Sequence, residues 1–595
     1  MSETDANYKR TRIFFWCAAI SLGVADAWAS RNAMNPDGVS YLDMGNAFFH
    51  HNWHMAINAY WSPLYPWIEG FFLWVLKPSA RWEFPIVHLV NLLVYISALA
   101  SFDFFLRAFI RFHQTSIQLL PSPSLSTPSP SPASGREGTG ERWVREGDER
   151  TRARAAISEQ MVESAESSAG FREWVWYVLG YSLFIWTSLV MIGAGSNVSP
   201  DLCVAALVYL AFGFLLQMRN RTCSRGKFLL FGAVLGFGYL AKAVMFPLAF
   251  VFLAVALFSL SSLRKAAPRV LLSALVFGAI ASPWLVLLSR AKGRLTFGES
   301  GRVNYEYHIN GYALWFPTAR ALKHPVSMLI SSPPTYEFAA PVGGTYPLWY
   351  DTSYWHEGLT PRFDARGQSK AVAQSLEKYL HLVFSPRMQL YLVVGLLVLL
   401  WLNRQLDLKT IVWNWPVIIP TLAAIGGYLL VVTDLRYVAA YVVIVWLVLF
   451  SGVEFPAAGK AARLATAVIV ALGVLSFYRP IYVVAVTRVP AYWKAAVALN
   501  NSGIKAGDKI AVIGPETFGM YVARLAKTQI IAEVREEMSR FCAEQPAIQA
   551  RAIEALRRTG ATAILASADS SARPSGWQKL GNTAYSVYRL ANMKP

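Results

Sequence analysis

The sequence predicts a polytopic α-helical membrane protein with about eleven transmembrane helices, followed by a small α/β domain at the C-terminus. Three observations lead to this class. Long apolar runs recur from Ile13 to Tyr482. Only 15% of the 595 residues are charged, against about a quarter in a soluble protein. Finally, only the segment after these runs has an ordinary soluble composition.

The transmembrane helices are predicted from apolar runs close to the roughly 20 residues that cross a bilayer. These runs are 13–29, 85–107, 173–193, 201–218, 228–243, 245–263, 269–289, 388–403, 411–432, 435–452 and 462–482. The run Pro63–Leu76 is shorter, contains Glu69 and is rich in Trp and Phe. It therefore predicts a helix that lies at the membrane interface.

Lys and Arg predict the orientation, because cytoplasmic loops are enriched in them. With eleven spans and a cytoplasmic N-terminus, the basic segments 219–227 and 264–269 fall inside. The chain is thus expected in the cytoplasmic (inner) membrane, with its C-terminal domain extracytoplasmic. Part of the net charge of +19 then serves to orient the chain in the membrane. The rest lies on the outer side, where the expected partners are anionic lipid of the bilayer or a lipid-phosphate substrate, and no nucleic-acid partner is expected.

Composition divides the chain into six segments. They are 1–112 with the first span, an outer loop with interfacial helices and the second span; 113–170, an insert; 171–289 with spans three to seven; 290–386, a large outer loop; 387–483 with spans eight to eleven; and 484–595, the α/β domain. The insert is rich in Pro, Ser, Gly and charge, which predicts a disordered cytoplasmic segment.

The C-terminal segment alternates strand and helix patterns, which predicts an α/β domain. The predicted strands are Lys509–Gly514, Gln529–Val534, Ala563–Ala566 and Tyr585–Leu590, and the predicted helices are Thr517–Ala526 and about 545–559. The turn from Gly514 to Gly519 lacks the pattern of a nucleotide-binding loop. The four cysteines are scattered, so no disulfide or zinc site is predicted.

Charged residues beside the spans are the candidates for chemistry, because such residues are costly near a bilayer. Four groups fall on the predicted outer side: Asp37 to Asp43, Ser199–Asp201, Lys242 and Asp434–Tyr437. Each also has a structural interpretation. The aspartates are suited to capping a helix, the lysine to extending toward the interface, and Asp434 to a local ion pair with Arg436.

The large outer loop contains a run dense in aromatic residues from Tyr346 to Glu357. Asp351 and Trp355 in this run are candidates for binding a sugar or an acceptor. Aromatic residues also anchor proteins at membrane interfaces, and that interpretation stays open.

Several motifs resemble those of one enzyme superfamily. Asp37-x-x-x-Tyr41 follows the first span, Tyr60–Pro66 opens the interfacial helix, and Ser199–Asp201 and Gly238–Lys242 follow at corresponding places. Over roughly residues 10–480 the chain resembles the GT-C superfamily of membrane glycosyltransferases, in particular the protein O-mannosyltransferase and aminoarabinose transferase group.

This resemblance implies an enzyme that transfers a sugar from a polyprenyl-phosphate-linked donor on the periplasmic side. Asp37 is then expected to act as general base with Asp201 in support. The acceptor, whether glycan, lipid or protein, is not implied. The residues expected to bind substrate are Tyr41, Asp43, Lys242, Asp351, Trp355, Arg436 and Tyr437.

One departure from the family pattern concerns metal binding. The aminoarabinose branch has a Glu just before the proline of the interfacial helix, where this chain has Ser62. No cofactor is clearly predicted, and a divalent metal has no clear site. The alternative function is a transporter or lipid flippase without transferase activity, although the sequence shows no repeated halves.

Overall fold

The computed structural model describes residues 3–119, 173–219, 224–260, 262–338, 341–384, 388–403, 406–455, 459–567 and 575–590. The predicted insert 113–170 lies mostly outside these residues. Its first residues, 113–119, continue a long helix that begins at Glu83, so that helix is longer than the predicted span 85–107.

Helices make up most of the described chain. In chain order they are α1 Glu3–Ala29, α2 Pro36–Phe49, α3 Trp53–Ala56, α4 Leu64–Leu76, α5 Glu83–Leu119, α6 Glu173–Ile192, α7 Asp201–Met218, α8 Arg225–Ala241, α9 Met245–Phe258, α10 Leu263–Lys292, α11 Ser300–His308, α12 Pro347–Tyr350, α13 Thr352–Trp355, α14 Ala365–Phe384, α15 Met388–Asn403, α16 Leu408–Trp413, α17 Trp415–Val431, α18 Leu435–Ser451, α19 Gly459–Val486, α20 Tyr492–Asn501, α21 Met520–Ala526, α22 Met538–Ala543 and α23 Pro546–Arg558. The last turns of α6, Thr187–Ile192, are π-helical.

The length and apolar composition of the helices support a multi-pass membrane protein. Six of those in the described residues are long and apolar enough to cross a bilayer: Tyr8–Ala29, Glu83–Thr115, Glu173–Ile192, Asp201–Met218, Leu263–Lys292 and Gly459–Val486. Five shorter apolar helices are Leu64–Leu76, Met245–Phe258, Met388–Leu402, Trp415–Val431 and Leu435–Ser451. Every predicted span overlaps a helix, although 411–432 includes the break between α16 and α17, and the number of membrane crossings stays a prediction.

Helices α2 and α4 lie in the segment between α1 and α5, and they cross at two glycines. A Cβ atom at Gly45 would lie 2.4 Å from the carbonyl oxygen of Pro66, and one at Gly70 would lie 2.8 Å from the Cα of Gly45. Only glycine permits this approach of two backbones. The contact fixes α2, which begins with Pro36 and has Asp37 in its first turn.

The C-terminal domain contains a mixed sheet of seven strands. In chain order these are β1 Ser327–Ser331, β2 Pro334–Glu337, β3 Lys509–Ile513, β4 Gln529–Val534, β5 Ala563–Ser567, β6 Trp577–Lys579 and β7 Tyr585–Arg589. They are arranged in the order β1-β2-β4-β3-β5-β7-β6. The central strands β4, β3 and β5 are parallel, as alternation of strands and helices predicts.

Strands β1 and β2 belong to the large loop, and their place in this sheet was not predicted. Strand β2 pairs antiparallel with β4, so that Tyr336 is opposite Glu533. The segments 290–386 and 484–595 are therefore joined by one sheet, although composition separates them. A distinct apolar cluster, with Ile513, Phe541 and Leu556 among its members, forms the core on one side of the sheet.

Candidate active site

A cavity of about 520 Å³, here called the reaction cavity, lies where α2, α7, α11 and α18 meet. Its lining includes Asp37, Tyr41, Asp201, Lys242, Arg436 and Tyr437, which are six of the nine residues predicted to act in catalysis or substrate binding. The structure thus brings together residues that are up to 400 positions apart in the chain. The other three, Asp43, Asp351 and Trp355, lie elsewhere.

Asp37 makes contacts that helix capping does not explain. One carboxylate oxygen accepts a hydrogen bond from the indole N–H of Trp349 at 3.2 Å. The other lies 3.0 Å from Nη2 of Arg436. The carboxylate is therefore directed at distant side chains and not at the free N–H groups of its own helix. Its side chain remains 16% exposed.

Asp201 is more enclosed than Asp37. It begins α7, and its carboxylate lies 2.6 Å from Nζ of Lys242 and accepts a hydrogen bond from Ser199 at 3.0 Å. Only 3% of its side chain is exposed. Lys242 directly follows α8 in an extended conformation, which directs its ammonium group into the cavity. Both the Ser199–Asp201 and the Lys242 motifs therefore belong to one ion pair.

Arg436 connects the carboxylates. Its guanidinium lies 3.0 Å from Asp37 and 3.6 Å from both Asp201 and Asp434. Asp434 also caps α18 through the backbone N–H of Arg436, so the predicted local pair exists beside the longer-range ones. Tyr437 adds an aromatic face, 3.4 Å from Nζ of Lys242 to the ring centroid. One guanidinium thus contacts three carboxylates, two of which line the cavity.

Tyr41 lies one helical turn after Asp37 and is buried beneath the cavity. Its ring packs edge-on against Trp61 and Tyr65. Burial, followed by the negative charges of Asp37 and Asp201, raises the pKa of Tyr41 well above its ordinary value. The phenol therefore stays protonated and is available as a hydrogen-bond donor.

The cavity wall contains a second group of charged residues that was not among the predicted site residues. Glu299 pairs with Arg294 and, at 2.9 Å, with Arg302. Arg302 also lies 3.6 Å from Glu306, which is paired with the buried His356. The spacing of Glu299, Arg302 and Glu306 is that of neighbours on one helix face, which is a signal that the sequence does contain.

The aromatic run of the large loop reaches the site through a residue other than the two predicted. Trp349 donates its indole N–H to Asp37, as described above. Asp351 instead caps α13, accepting hydrogen bonds from Ser353 and Tyr354. Trp355 is buried and donates to the carbonyl oxygen of Pro347. Neither of these two lines the reaction cavity.

Asp43 is separated from the cavity and belongs to a buried ionic group. Its carboxylate accepts hydrogen bonds from the backbone N–H and the hydroxyl of Thr345, at 2.6 and 2.9 Å. It also lies 2.7 Å from Arg524, whose guanidinium pairs with Glu83 at the same distance. Burial raises the pKa of Asp43, an effect that Arg524 and Thr345 oppose. These contacts connect α2 to the C-terminal domain.

The residues of the cavity do not suit a divalent metal. Ser62 lines the cavity, whereas Glu69 is fully buried on α4 and is not part of the lining. Arg436 already lies between Asp37 and Asp201, where a bridging cation would have to bind. Within the described ranges, no three His, Cys, Asp or Glu residues form a group that fits a metal ion.

Comparisons with known proteins found similarity only at the level of structure. No protein-family model matches the chain, and no curated protein matches it. The structure is similar to ArnT from Cupriavidus metallidurans in the apo state, at 12% identity and a TM-score of 0.46, over 94% of this chain and 93% of ArnT. For ArnT bound to undecaprenyl phosphate the values are 10% identity, a TM-score of 0.43 and 97% of each chain.

The structure is also similar to the Archaeoglobus fulgidus oligosaccharyltransferase in complex with Zn and sulfate. Here the identity is 11% and the TM-score 0.45, over 94% of this chain and 68% of that chain. With identities this low, the reactive groups have to be judged from the residues of this chain.

Proposed function

We propose that the protein is a membrane glycosyltransferase that transfers a sugar from a polyprenyl-phosphate-linked donor to a hydroxyl-bearing acceptor, with Asp37 as general base. The observation that carries this proposal is the arrangement of the reaction cavity. An accessible carboxylate lies there beside a guanidinium and an ammonium group, next to apolar helices. The motif resemblance to GT-C enzymes supports the same reaction.

Asp37 is the best base among the carboxylates that line the cavity. These are Asp37, Asp201 and Glu299. The side chain of Asp37 is 16% exposed, while those of Asp201 and Glu299 are 3% and 1% exposed and are each paired with two basic side chains. A base must contact the proton it removes, so accessibility decides in favour of Asp37.

In the proposed reaction, the acceptor hydroxyl gives its proton to Asp37 as its oxygen attacks the anomeric carbon of the sugar. A new bond forms between these two atoms. The bond from the anomeric carbon to the phosphate oxygen breaks, and the lipid phosphate leaves with the electron pair. Asp201 supports the base indirectly, because it shares Arg436 and binds Lys242.

Arg436 and Lys242 supply the positive charge that the leaving phosphate needs. Negative charge grows on the phosphate as the bond breaks, and cations fixed nearby stabilise it most in the transition state. Arg436 lies 3.0 Å from Asp37, so the cation assigned to the phosphate is also beside the proposed base.

Replacing Asp37 with Asn tests the assignment. The variant keeps a hydrogen-bond acceptor but no longer accepts a proton, so we expect transfer from a labelled lipid-linked sugar to fall about 10²- to 10⁴-fold. Asp434→Asn is the matched control, because Asp434 contacts the same guanidinium but is 46% exposed at the edge of the site. Undiminished transfer by a folded Asp37→Asn protein would refute the proposal.

We place this reaction on the periplasmic side of the cytoplasmic membrane, with the C-terminal domain on that side as well. The support is the basic residues Arg264, Lys265 and Arg269 in the first turns of α10, which are typical of the cytoplasmic end of a span. In a cysteine-free background, an impermeant maleimide added to intact cells should label Thr318→Cys and spare Ser262→Cys. The opposite labelling would contradict this orientation.

A further inference from the structure

A second cavity, of about 780 Å³, lies between α2, α4 and the C-terminal domain. It is larger than the reaction cavity, and the described residues that line the two do not overlap. The Asp43, Arg524 and Glu83 ionic group forms part of its wall. Nothing in the proposed transfer reaction uses this space.

Two lysines at this cavity have an unusual backbone conformation. Lys77 follows α4 with φ 43°, and Lys527 follows α21 with φ 58°. The left-handed region disfavours side chains with a Cβ atom, and glycine is the usual residue after a helix end. Lysine at both positions therefore costs conformational energy, which points to a use for the side chains.

The helix dipole explains only part of this choice. A cation after the last turn of a helix is favourable at either position separately. It does not account for two lysines from different parts of the chain lining one cavity. Both are exposed, and neither ammonium group has an ion-pair partner among the described residues.

The distribution of charge around the cavity favours an anion at the lysines. Asp43 and Glu83 are each only 8% exposed in their side chains and are bound to Arg524. Their charge is thus largely enclosed, while that of Lys77 and Lys527 is accessible. Uncharged donors such as Gln529 and Asn52 also line the cavity.

An apolar surface suited to lipid adjoins the same cavity. Trp74 on α4 lines it, is 46% exposed and stacks on Phe49 with ring centroids 5.8 Å apart. Val75 and Leu76 beside it are each 51% exposed. Tryptophan beside exposed aliphatic residues is typical of the level of lipid headgroups in a bilayer. Cationic and apolar groups are thus adjacent, which matches the anionic headgroup and the apolar chains of a lipid.

We propose that the second cavity binds the phosphorylated headgroup of an anionic membrane lipid. Lys77 and Lys527 contact the phosphate, and Trp74 contacts the part of the lipid next to the headgroup. The bound lipid would bridge the interfacial helix α4 and the C-terminal domain. This site is independent of the proposed sugar transfer, because none of its lining residues belongs to the reaction cavity.

Lipid binding by the full-length protein tests this site. The protein is purified in detergent with phosphatidylcholine and titrated with phosphatidylglycerol, and native mass spectrometry counts the bound lipid. The double variant Lys77→Gly/Lys527→Gly removes both charges while glycine suits the left-handed backbone, so folding should be retained. We expect phosphatidylglycerol affinity to fall about tenfold or more. Lys77→Asn/Lys527→Asn is the alternative pair if the glycines impair folding.

The control removes two exposed lysines away from the cavity, Lys370→Ala/Lys505→Ala, and should leave binding unchanged. Equal retention of phosphatidylglycerol and phosphatidylcholine by the wild-type protein would overturn the proposal. So would unchanged phosphatidylglycerol binding by the folded double variants. A titration with inorganic phosphate forms a further arm. Saturable phosphate binding that depends on the two lysines, without preference for phosphatidylglycerol, would identify a free phosphate site and refute a lipid site.

Discussion

Asp37 and Asp43 lie on the same helix, α2, and each is bound by an arginine from a distant part of the chain, yet their surroundings differ. Asp37 borders an open cavity and shares Arg436 with two other carboxylates. Asp43 is enclosed, and Thr345 and Arg524 together provide it with three hydrogen bonds. The first carboxylate borders a cavity with room for a ligand, while the second connects α2 to the C-terminal domain.

The difference shows how little the residue type itself says about its role. Both aspartates follow the first span and both resemble residues of an active site. The role of each aspartate depends on its arginine partner, which comes from α18 for Asp37 and from α21 for Asp43. Removing each arginine in turn is therefore the most direct way to test the comparison.

The largest effect is expected on the Asp43 side. Arg524→Met leaves Asp43 and Glu83 buried without their cation, which should lower the free energy of unfolding by about 3–5 kcal/mol. Thermal or denaturant unfolding in detergent measures this loss. Arg551→Met, an exposed arginine of the same domain, serves as control and should be close to neutral. Wild-type stability of Arg524→Met would show that the ionic group is not structural.

A smaller but specific effect is expected on the Asp37 side. Arg436→Gln removes the guanidinium that we assign to the leaving phosphate, and kcat/KM should fall about 10²- to 10³-fold per folded enzyme. Arg436→Lys should lose less, because it keeps the charge but not the forked geometry. If Arg524→Met impaired transfer by the folded protein as much as Arg436→Gln, the two sides would not be functionally distinct.

The most gradual effect concerns pH and the C-terminal domain. Burial raises the pKa of Glu533 to about 8, against the hydrogen bond from Tyr346. Since the folded state then holds the proton more tightly than the unfolded state, this contribution is complete below about pH 4.5 and is lost as pH rises toward 8. Stability should decline by at most about 1.4 kcal/mol per pH unit in this window.

Glu533→Gln removes this titration, so the difference between the wild-type and variant unfolding profiles isolates it. The two proteins should differ in slope between about pH 5 and 8. Parallel profiles would mean that Glu533 is ionised in the folded protein throughout. The side that contains Asp43 and Glu533 is thus expected to respond through stability, and the side that contains Asp37 through rate.

The sequence predicted those parts of the fold that depend on local pattern. The apolar runs are helices, and β3, β4, β5 and β7 lie in the four segments of the C-terminal region that were predicted as strands. It did not predict β1 and β2, because Pro333 and Pro334 interrupt a short segment whose two strands pair with each other and, through β2, with β4. Pairing of this kind depends on tertiary contacts that no local window contains.

The candidate site shows the same difference between residues placed by local pattern and residues placed by tertiary contacts. Asp201 and Lys242 lie beside apolar runs, which limits where their side chains can go, and they meet at 2.6 Å. The aromatic run of the large loop has no such constraint. Its path alone directs Trp349 to Asp37 and buries Trp355 elsewhere. Residue type and order were therefore enough to predict that Asp201 and Lys242 lie close together at the helix ends. They were not enough to predict which residue of the loop contacts Asp37.

The sheet that joins β2 to β4 has a practical consequence for protein engineering. A chimera that exchanges only residues 484–595 with a homologous protein would leave β2 without its native neighbour. The carbonyl oxygen of Thr345 would also lose the hydrogen bond that it accepts from the backbone N–H of Ile530. The exchangeable module is thus discontinuous. It has to include the stretch from Ser327 to Tyr350, and with it the tryptophan that touches Asp37.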